Sequence, residues 1–488
     1  MNTTHTNFLK AALCMGLLFT ATTMQAKVVL PSVFSDNMVF QQKTKAAIWG
    51  KADAGKQVKV TTSWNNKSTS ANADASGNFK VLFATPSFGG PYTVTVSDGE
   101  ELTLKNVLIG DVWVCSGQSN MEQPLAGWGK VNNYEQEIKD ATYPKIRLLQ
   151  ALHITSNKPL DDAKVTNGGW TECNPQYVAE FSAVAYFFAR EVTKKTGIPI
   201  GLIHTSWGGT IAEAWTSAET LNTLPDFVPA VEKIKAAPDS DDKNPNRTTV
   251  LYNAMIHPYI QFPIKGAIWY QGESNAGRAN QYRTLFPAMI KDWRTKWGVG
   301  DFPFYFVQLA NFMAPTAEPV SSEWAELRDA QKQTLGLKNT GMAVIIDAGE
   351  EKDIHPKNKQ DVGIRLAYAA LAKTYGQKIP FSGPMFKSQQ ISGNTVKLSF
   401  TSTDGGLKVK NGTELKGFQV AGADQKFYWA KASIQGNQVV VSSDQVSSPV
   451  AVRYGWANNP PSTLYNGADL PASPFKTDSW ADVTLGKK

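Results

Sequence analysis

The sequence predicts an α/β protein: a parallel sheet flanked by helices, with β-rich, sandwich-like regions before and after it. Two observations carry that expectation. In the middle of the chain short apolar runs alternate with helix-length segments, and strands buried on both faces of a parallel sheet read as such runs. Towards both ends the pattern becomes polar–apolar alternation broken by Gly, Ser, Asn and Asp, the mark of half-buried antiparallel strands. Composition agrees with a folded chain: 42% of the 488 residues are apolar and 19% charged.

The elements follow in order. Residues 1–26 read as an export signal, with Lys10 as a positive start, Ala11 to Thr20 as a short apolar core and cleavage after Ala26. Export to a periplasmic or extracellular location is expected from it. Cys14 is not read as a lipid anchor, because Leu13 stands where a small residue is needed. Residues 27–105 form the first β region: Val58 and Val60, then Val94 and Val96, alternate with polar residues, and Ser76-Gly77-Asn78 and Asp98-Gly99 mark turns. Residues 106–378 form the α/β region. Its apolar runs are Val112–Cys115, Ile146–Leu149, Ile198–Ile203, Ala267–Tyr270, Phe304–Leu309 and Ala343–Ile346. Helical stretches between them include Glu180–Val192, Tyr282–Trp293, Glu323–Thr334 and Lys359–Tyr375. Residues 379–488 return to alternation, as in Val396-Lys397-Leu398-Ser399-Phe400.

Charge and cysteine usage exclude several classes. Lys and Arg number 49 against 42 Asp and Glu, a net charge of +7 spread without a basic block, so nucleic acid is not the expected partner. Three cysteines cannot frame a disulfide miniprotein or a four-Cys zinc site. Cys115 and Cys173 are open to pairing in an oxidising compartment or to remaining buried thiols. After the N-terminus no apolar stretch reaches the length of about 18 residues that a membrane span needs.

In an open parallel sheet, ligands bind beyond the carboxyl ends of the strands. The residues there converge. Val112–Cys115 is followed by Ser116-Gly117-Gln118-Ser119-Asn120, and Ile198–Ile203 by His204-Thr205-Ser206-Trp207-Gly208-Gly209-Thr210. Ala267–Tyr270 is followed by Gln271-Gly272-Glu273-Ser274-Asn275, and Ala343–Ile346 by Asp347 and then Asp353-Ile354-His355-Pro356. These parts suit acyl transfer. A serine hydroxyl needs a neighbouring base to become a nucleophile, and histidine is poised for that near neutral pH. Ser119, opening a helix, offers its own N–H to an oxyanion; Gly208 and Gly209 let backbone N–H groups approach a substrate; Asn275 adds an amide donor. His355 is the expected base, with Asp353 two residues earlier as its acid.

Alternatives stand beside this reading. Gly272-Glu273-Ser274-Asn275-Ala276 nearly matches the G-x-S-x-G elbow of α/β hydrolases, which would make Ser274 the nucleophile, with Asp347 or Asp353 and then His355. The Asp-x-His pair could equally hold a metal. A non-catalytic carbohydrate-binding protein is the third reading, since Trp207, Trp215, Trp269 and Trp324 lie in or near these loops and aromatic rings suit a sugar face. His153, His204 and His257 are expected in the core or behind the site.

The segment Asp111-Val112-Trp113-Val114-Cys115-Ser116-Gly117-Gln118-Ser119-Asn120-Met121 resembles the nucleophile segment of the sialate O-acetylesterase family, within the SGNH (GDSL-like) hydrolases. Further similar segments lie at Leu30–Phe34, Asn37–Val39, Trp269–Asn275, Asp353–Pro356, Val452–Trp456 and Leu470–Asp478, so the resemblance covers nearly the whole chain after residue 26. It implies an SGNH-like sheet and a serine esterase that removes O-acetyl groups from acetylated mono-, oligo- or polysaccharides, without metal or cofactor. It makes Ser119 the nucleophile and first oxyanion donor, a glycine of Gly208-Gly209 the second, Asn275 the third and His355 the base. The superfamily places an aspartate three residues before the histidine, where this chain has Lys352. Asp353 is therefore the expected acid and Glu273 the alternative; a Ser–His dyad oriented by a backbone carbonyl is the third arrangement.

Overall fold

A computed structural model describes residues 28–238, 243–410 and 412–488. The export segment expected over 1–26 lies outside the described residues. The organising element is strand β1 (Glu101–Gly117), 17 residues long. Its first half pairs antiparallel with Gly89–Ser97 in the N-terminal β region. Its second half is the centre of a parallel sheet. Here β1 is flanked by β3 (Ile200–Ser206) and β4 (Gly266–Tyr270), with β2 (Tyr143–Gln150) beyond β3. On the other side β5 (Phe304–Gln308) and β6 (Thr340–Val344) continue the sheet. The order is β6-β5-β4-β1-β3-β2, closed at one edge by the short antiparallel Thr171–Cys173.

Every residue of β3, β4, β5 and β6 is buried. Side chains alternate between the faces of a strand, so helices must cover both faces. The covering helices are α2 (Ala183–Thr196), α3 (Ala279–Trp297), α4 (Glu323–Gln333) and α5 (Lys359–Lys373), preceded by the one-turn α1 (Ser119–Glu122). Their starts are written in the sequence. The Ser182, Ser322 and Asn358 side chains accept from Ala185, Ala325 and Asp361 N–H, satisfying donors that a first helical turn leaves unpaired. Gly197 and Gly298, both left-handed, end α2 and α3.

The chain leaves β1 for β2 and β3 on one side, then crosses to β4, β5 and β6 on the other. The reversal makes the carboxyl end of β1 the switch point of the sheet, where a crevice opens between diverging connections.

The N-terminal region adds Gln57–Thr62 and Lys67–Asn72 to its sheet, and Lys45–Lys51 pairs separately with Asn78–Ala84. Position 105/106, where the sequence pattern changes, falls inside β1. One apolar core runs through this region and the α/β region together. The C-terminal β region has its own core, including Val396, Leu398, Phe418, Val439 and Phe475, between two four-stranded antiparallel sheets. Cys115 and Cys173 are both buried and free. Among the described residues no helix is long and apolar enough to cross a membrane.

Candidate active site

The site is built at the end of β1. Gly117 has φ +143°, and a Cβ there would lie 2.1 Å from Tyr270 O, so only glycine lets β1 and β4 come this close. Gln118 N–H donates to Tyr270 O (3.0 Å), and Trp207 N–H donates to Gly117 O (3.1 Å). Three strand ends are thereby stitched around the next residues. Ser119 is the first residue of α1 and partly exposed.

His355 reaches it from the irregular segment between β6 and α5. Its Nε2 lies 2.9 Å from Ser119 Oγ, across 236 residues of chain. Burial lowers the His355 pKa below the ordinary imidazole value, and the Lys359 cation pushes the same way; Asp353 and Glu122 pull it back up. At neutral pH the ring is therefore the neutral, proton-accepting form.

The two acids expected for His355 take different places. Asp353 Oδ1 accepts the His355 backbone N–H at 2.8 Å and lies 3.5 Å from ring Nδ1. Glu273 turns away from the histidine: its Oε1 accepts from Asn120 Nδ2 (2.6 Å), and burial raises its pKa. Lys352, at the position three before His355, is exposed.

The Gly208, Gly209 and Asn275 donors expected from the sequence are held differently. Gly208 lies against Ser119, since a Cβ there would be 3.2 Å from Ser119 Cβ. Its N–H donates to Glu122 Oε2 (2.5 Å), however, because Glu122 sits one turn after Ser119 on the same helix face and reaches across. Gly209 is exposed, with φ +74°. Asn275 is 1% exposed and rigidly oriented. Its Oδ1 accepts from Ala212 N–H (3.0 Å) and Gln271 Nε2 (2.7 Å), while its Nδ2 donates to Glu213 Oε2 (3.0 Å). Arg278 in turn holds Glu213 Oε1 (2.7 Å). An amide nitrogen carries two hydrogens, and Glu213 takes one of them.

The elbow arrangement is not assembled. His355 faces Ser119, and Ser274 is held by its backbone N–H, which donates to Gln118 Oε1 (3.3 Å). Asp347 pairs bidentately with Arg365 and accepts from Tyr465 OH (3.0 Å). Among the described residues no cluster of three His, Cys, Asp or Glu side chains is placed to hold a metal ion.

Of the four tryptophans named above, Trp215, Trp269 and Trp324 are core residues and Trp207 is half-buried, stacked on His153 at 4.3 Å. His204 is buried behind the site and its pKa is pulled down to about 4 by that burial. Two side chains at the mouth are not among the residues expected from the sequence. Trp128 is 56% exposed and meets the His355 ring edge-on at 5.2 Å. Glu122 bridges Gly208 and His153, whose Nε2 is 3.2 Å from Glu122 Oε1. The i, i+3 spacing from Ser119 could have found Glu122; nothing in the local pattern distinguishes Trp128 from any loop tryptophan.

Comparison with known proteins shows the family. Residues 109–372 match the family model described as carbohydrate esterase, sialic acid-specific acetylesterase. The chain is 31% identical to the Homo sapiens sialate O-acetylesterase, covering 91% of each, and 30% identical to the Mus musculus sialate O-acetylesterase, covering 91% of this chain and 93% of that one. A solved carbohydrate acetylesterase from Xanthomonas citri superposes with a TM-score of 0.84 at 41% identity, over 93% of this chain and all of that one. The chain belongs to the sialic acid-specific acetylesterase family of carbohydrate esterases.

Proposed function

We propose that the protein removes O-acetyl groups from acetylated sugars, with Ser119 as nucleophile and His355 as general acid–base. The observation that carries this is the 2.9 Å contact between Ser119 Oγ and His355 Nε2. Ser119 Oγ attacks the acetyl carbonyl as His355 Nε2 takes its proton, and the carbonyl oxygen becomes an oxyanion. That charge is met by Ser119 N–H and by the second hydrogen of Asn275 Nδ2. Gly208 N–H joins them once the Glu122 side chain swings aside. Collapse of the intermediate breaks the ester C–O bond; His355 returns the proton to the departing sugar hydroxyl, leaving acetyl-Ser119. Water, deprotonated by His355, then releases acetate. Asp353 supports the imidazolium formed in both steps.

Trp128, an exposed ring beside the base, is the surface on which the sugar face rests. The reading includes export through residues 1–26, which sequencing of the mature N-terminus checks. The decisive measurement is acetate release from an aryl acetate and from a panel of acetylated sugars. Ser119→Ala is expected to abolish both and Ser274→Ala to retain both; the reverse result would move the nucleophile to Ser274. Trp128→Ala is expected to raise KM several-fold for acetylated sugars and leave the aryl acetate unchanged.

A further inference from the structure

Beneath the Ser119–His355 contact lies a buried polar chain that the chemistry above does not use. Lys359, the first residue of α5, is 0% exposed, and Asn120, next to the nucleophile, is 1% exposed. Lys359 Nζ donates to Asn120 Oδ1 (2.8 Å) and to Pro356 O (2.6 Å). Asn120 Nδ2 donates to Glu273 Oε1 (2.6 Å) and to Ile354 O (3.0 Å). Ile354 and Pro356 are the two neighbours of His355, so the carbonyls on either side of the base are gripped by one cluster. The same cluster joins three of the four catalytic loops: the start of α1, the loop after β4 and the segment before α5.

From this geometry we infer that Lys359, Asn120 and Glu273 are positioning residues that set the height and orientation of His355 against Ser119. The need for them is physical. His355 sits on irregular backbone, and its carboxylate neighbour Asp353 lies 3.5 Å from the ring, too far for a strong orienting bond. The orientation is therefore imposed through the backbone. A buried charged cluster is poor evidence for stability, since apolar residues can replace one at little or no loss. Its position around the base gives it another use. Glu273, the alternative acid from the sequence, thus acts through Asn120.

Charge adds a signature. Lys359 faces Glu273, Asp353 and Glu350, and its nitrogen lies 6.0 Å from the Tyr270 ring centre. Burial pulls its pKa down to about 7. Its charge is one of the groups that lower the His355 pKa, alongside burial and against Asp353 and Glu122.

The inference rests on the Ser119–His355 reading, and the test separates the two. With an aryl acetate, Ser119→Ala losing all activity establishes the reading; retained activity would sink that reading instead of the positioning role. Given that control, Lys359→Met is expected to lower kcat at least ~10-fold with KM within about twofold, because misplacing a base by a fraction of an ångström is felt in kcat. Its acidic limb of kcat/KM is expected to move to higher pH, since the cation that held His355 down is gone, and Lys359→Arg is expected to regain part of kcat. A folded Lys359→Met variant with kcat within twofold of the parent and an unmoved limb would overturn the inference. Asn120→Ser, a milder change that removes no charge, decides the matter where Lys359→Met does not fold. It is expected to lose kcat about tenfold at unchanged KM, and kcat within twofold would equally overturn the inference.

Discussion

At the scale of single residues, the protonation of His355 governs the chemistry. Only the neutral ring can accept the Ser119 proton, so kcat/KM must fall as pH drops through the His355 pKa. Burial and Lys359 place that pKa below the ordinary imidazole value of about 6.5. The acidic limb is accordingly expected below pH 6.5 in a profile taken with an aryl acetate; a limb above that value would contradict the electrostatics described. Glu122→Gln gives the sign a second check. Glu122 raises the His355 pKa, so losing its charge should move the limb further down. The same change replaces the carboxylate that takes the Gly208 N–H with a neutral, weaker amide acceptor, and kcat is expected to rise or hold rather than fall.

The residues that sequence could and could not reveal divide along the same physical line. Ser119 and His355 were legible because strand-end position and side-chain chemistry are both local properties. Lys359 was not. A lysine at a helix start reads as solvated, and only the packing of α5 against the α1 loop and the loop after β4 buries it. Trp128 failed for the opposite reason, since exposure of an aromatic ring leaves no trace in the surrounding pattern. Glu273 was legible as a carboxylate near the site; which way it turns depends on Asn120.

At the scale of elements, the alternation of apolar runs and helical stretches locates the strands of the parallel sheet and the four long helices, because burial on both faces is encoded within each segment; the Ala343–Ile346 run meets β6 only at that strand's last two residues, and α3 starts without a side-chain cap. Order across the sheet was not so encoded, nor was the continuity of β1 through two sheets. The strand passes position 105/106 through a bulge rather than a loop: Asn106 is left-handed at φ +54° and the register with Gly89–Ser97 shifts there, and a single Asn in a sequence reads as a turn. This continuity makes β1 the rigid mount for the nucleophile, and Gly117 its most sensitive point. Gly117→Ala would put a methyl carbon into Tyr270 O and strain the backbone at φ +143°. The combined strain and overpacking are expected to cost about 2–6 kcal/mol, read as a lower urea midpoint. Because relief can come only from parting β1 and β4, kcat of the folded fraction is expected to fall more than ~10-fold as well. Unchanged kcat with lowered stability would show that the spacing of these two strand ends does not set the site.

At the scale of the whole molecule, the two apolar cores are separate; Phe381 and Met385 of the C-terminal region rest on the first, and polar fastenings cross between the two. The C-terminal residues fold back on the α/β region: Val483 and Thr484 N–H donate to Glu326, and Arg283 pairs with Asp482 at 2.6 Å. The central fastening is Arg328 on α4, fully buried. It donates to Leu309 O and Ala310 O after β5 (2.8 and 2.6 Å) and to Ala457 O and Asn458 O of the C-terminal region (2.7 and 2.9 Å). Burial draws its pKa down to about 9, which is still far enough above neutrality to keep the guanidinium charged. Four carbonyls thus share one cation; Ala310 O also accepts from Trp324 Nε1 (2.8 Å) and Asn458 O from Phe312 N–H (3.2 Å), so Leu309 O and Ala457 O depend on Arg328 most. Arg328→Met matches much of the side-chain length but leaves Leu309 O and Ala457 O without a donor, a loss of about 2–6 kcal/mol at about 1–3 for each buried acceptor. Because the two cores are separate, the loss should fall on their coupling. Calorimetry is expected to show the C-terminal region melting in its own, earlier transition, with the catalytic region following near its parent temperature. Residues 347 and 465, hydrogen-bonded across the same boundary at 3.0 Å, would still tie the segment before α5 to the C-terminal region below that first transition. Activity at 25 °C should therefore survive the substitution and disappear with the first transition if the C-terminal region holds the His355 segment in place, or with the second if the α/β core alone does.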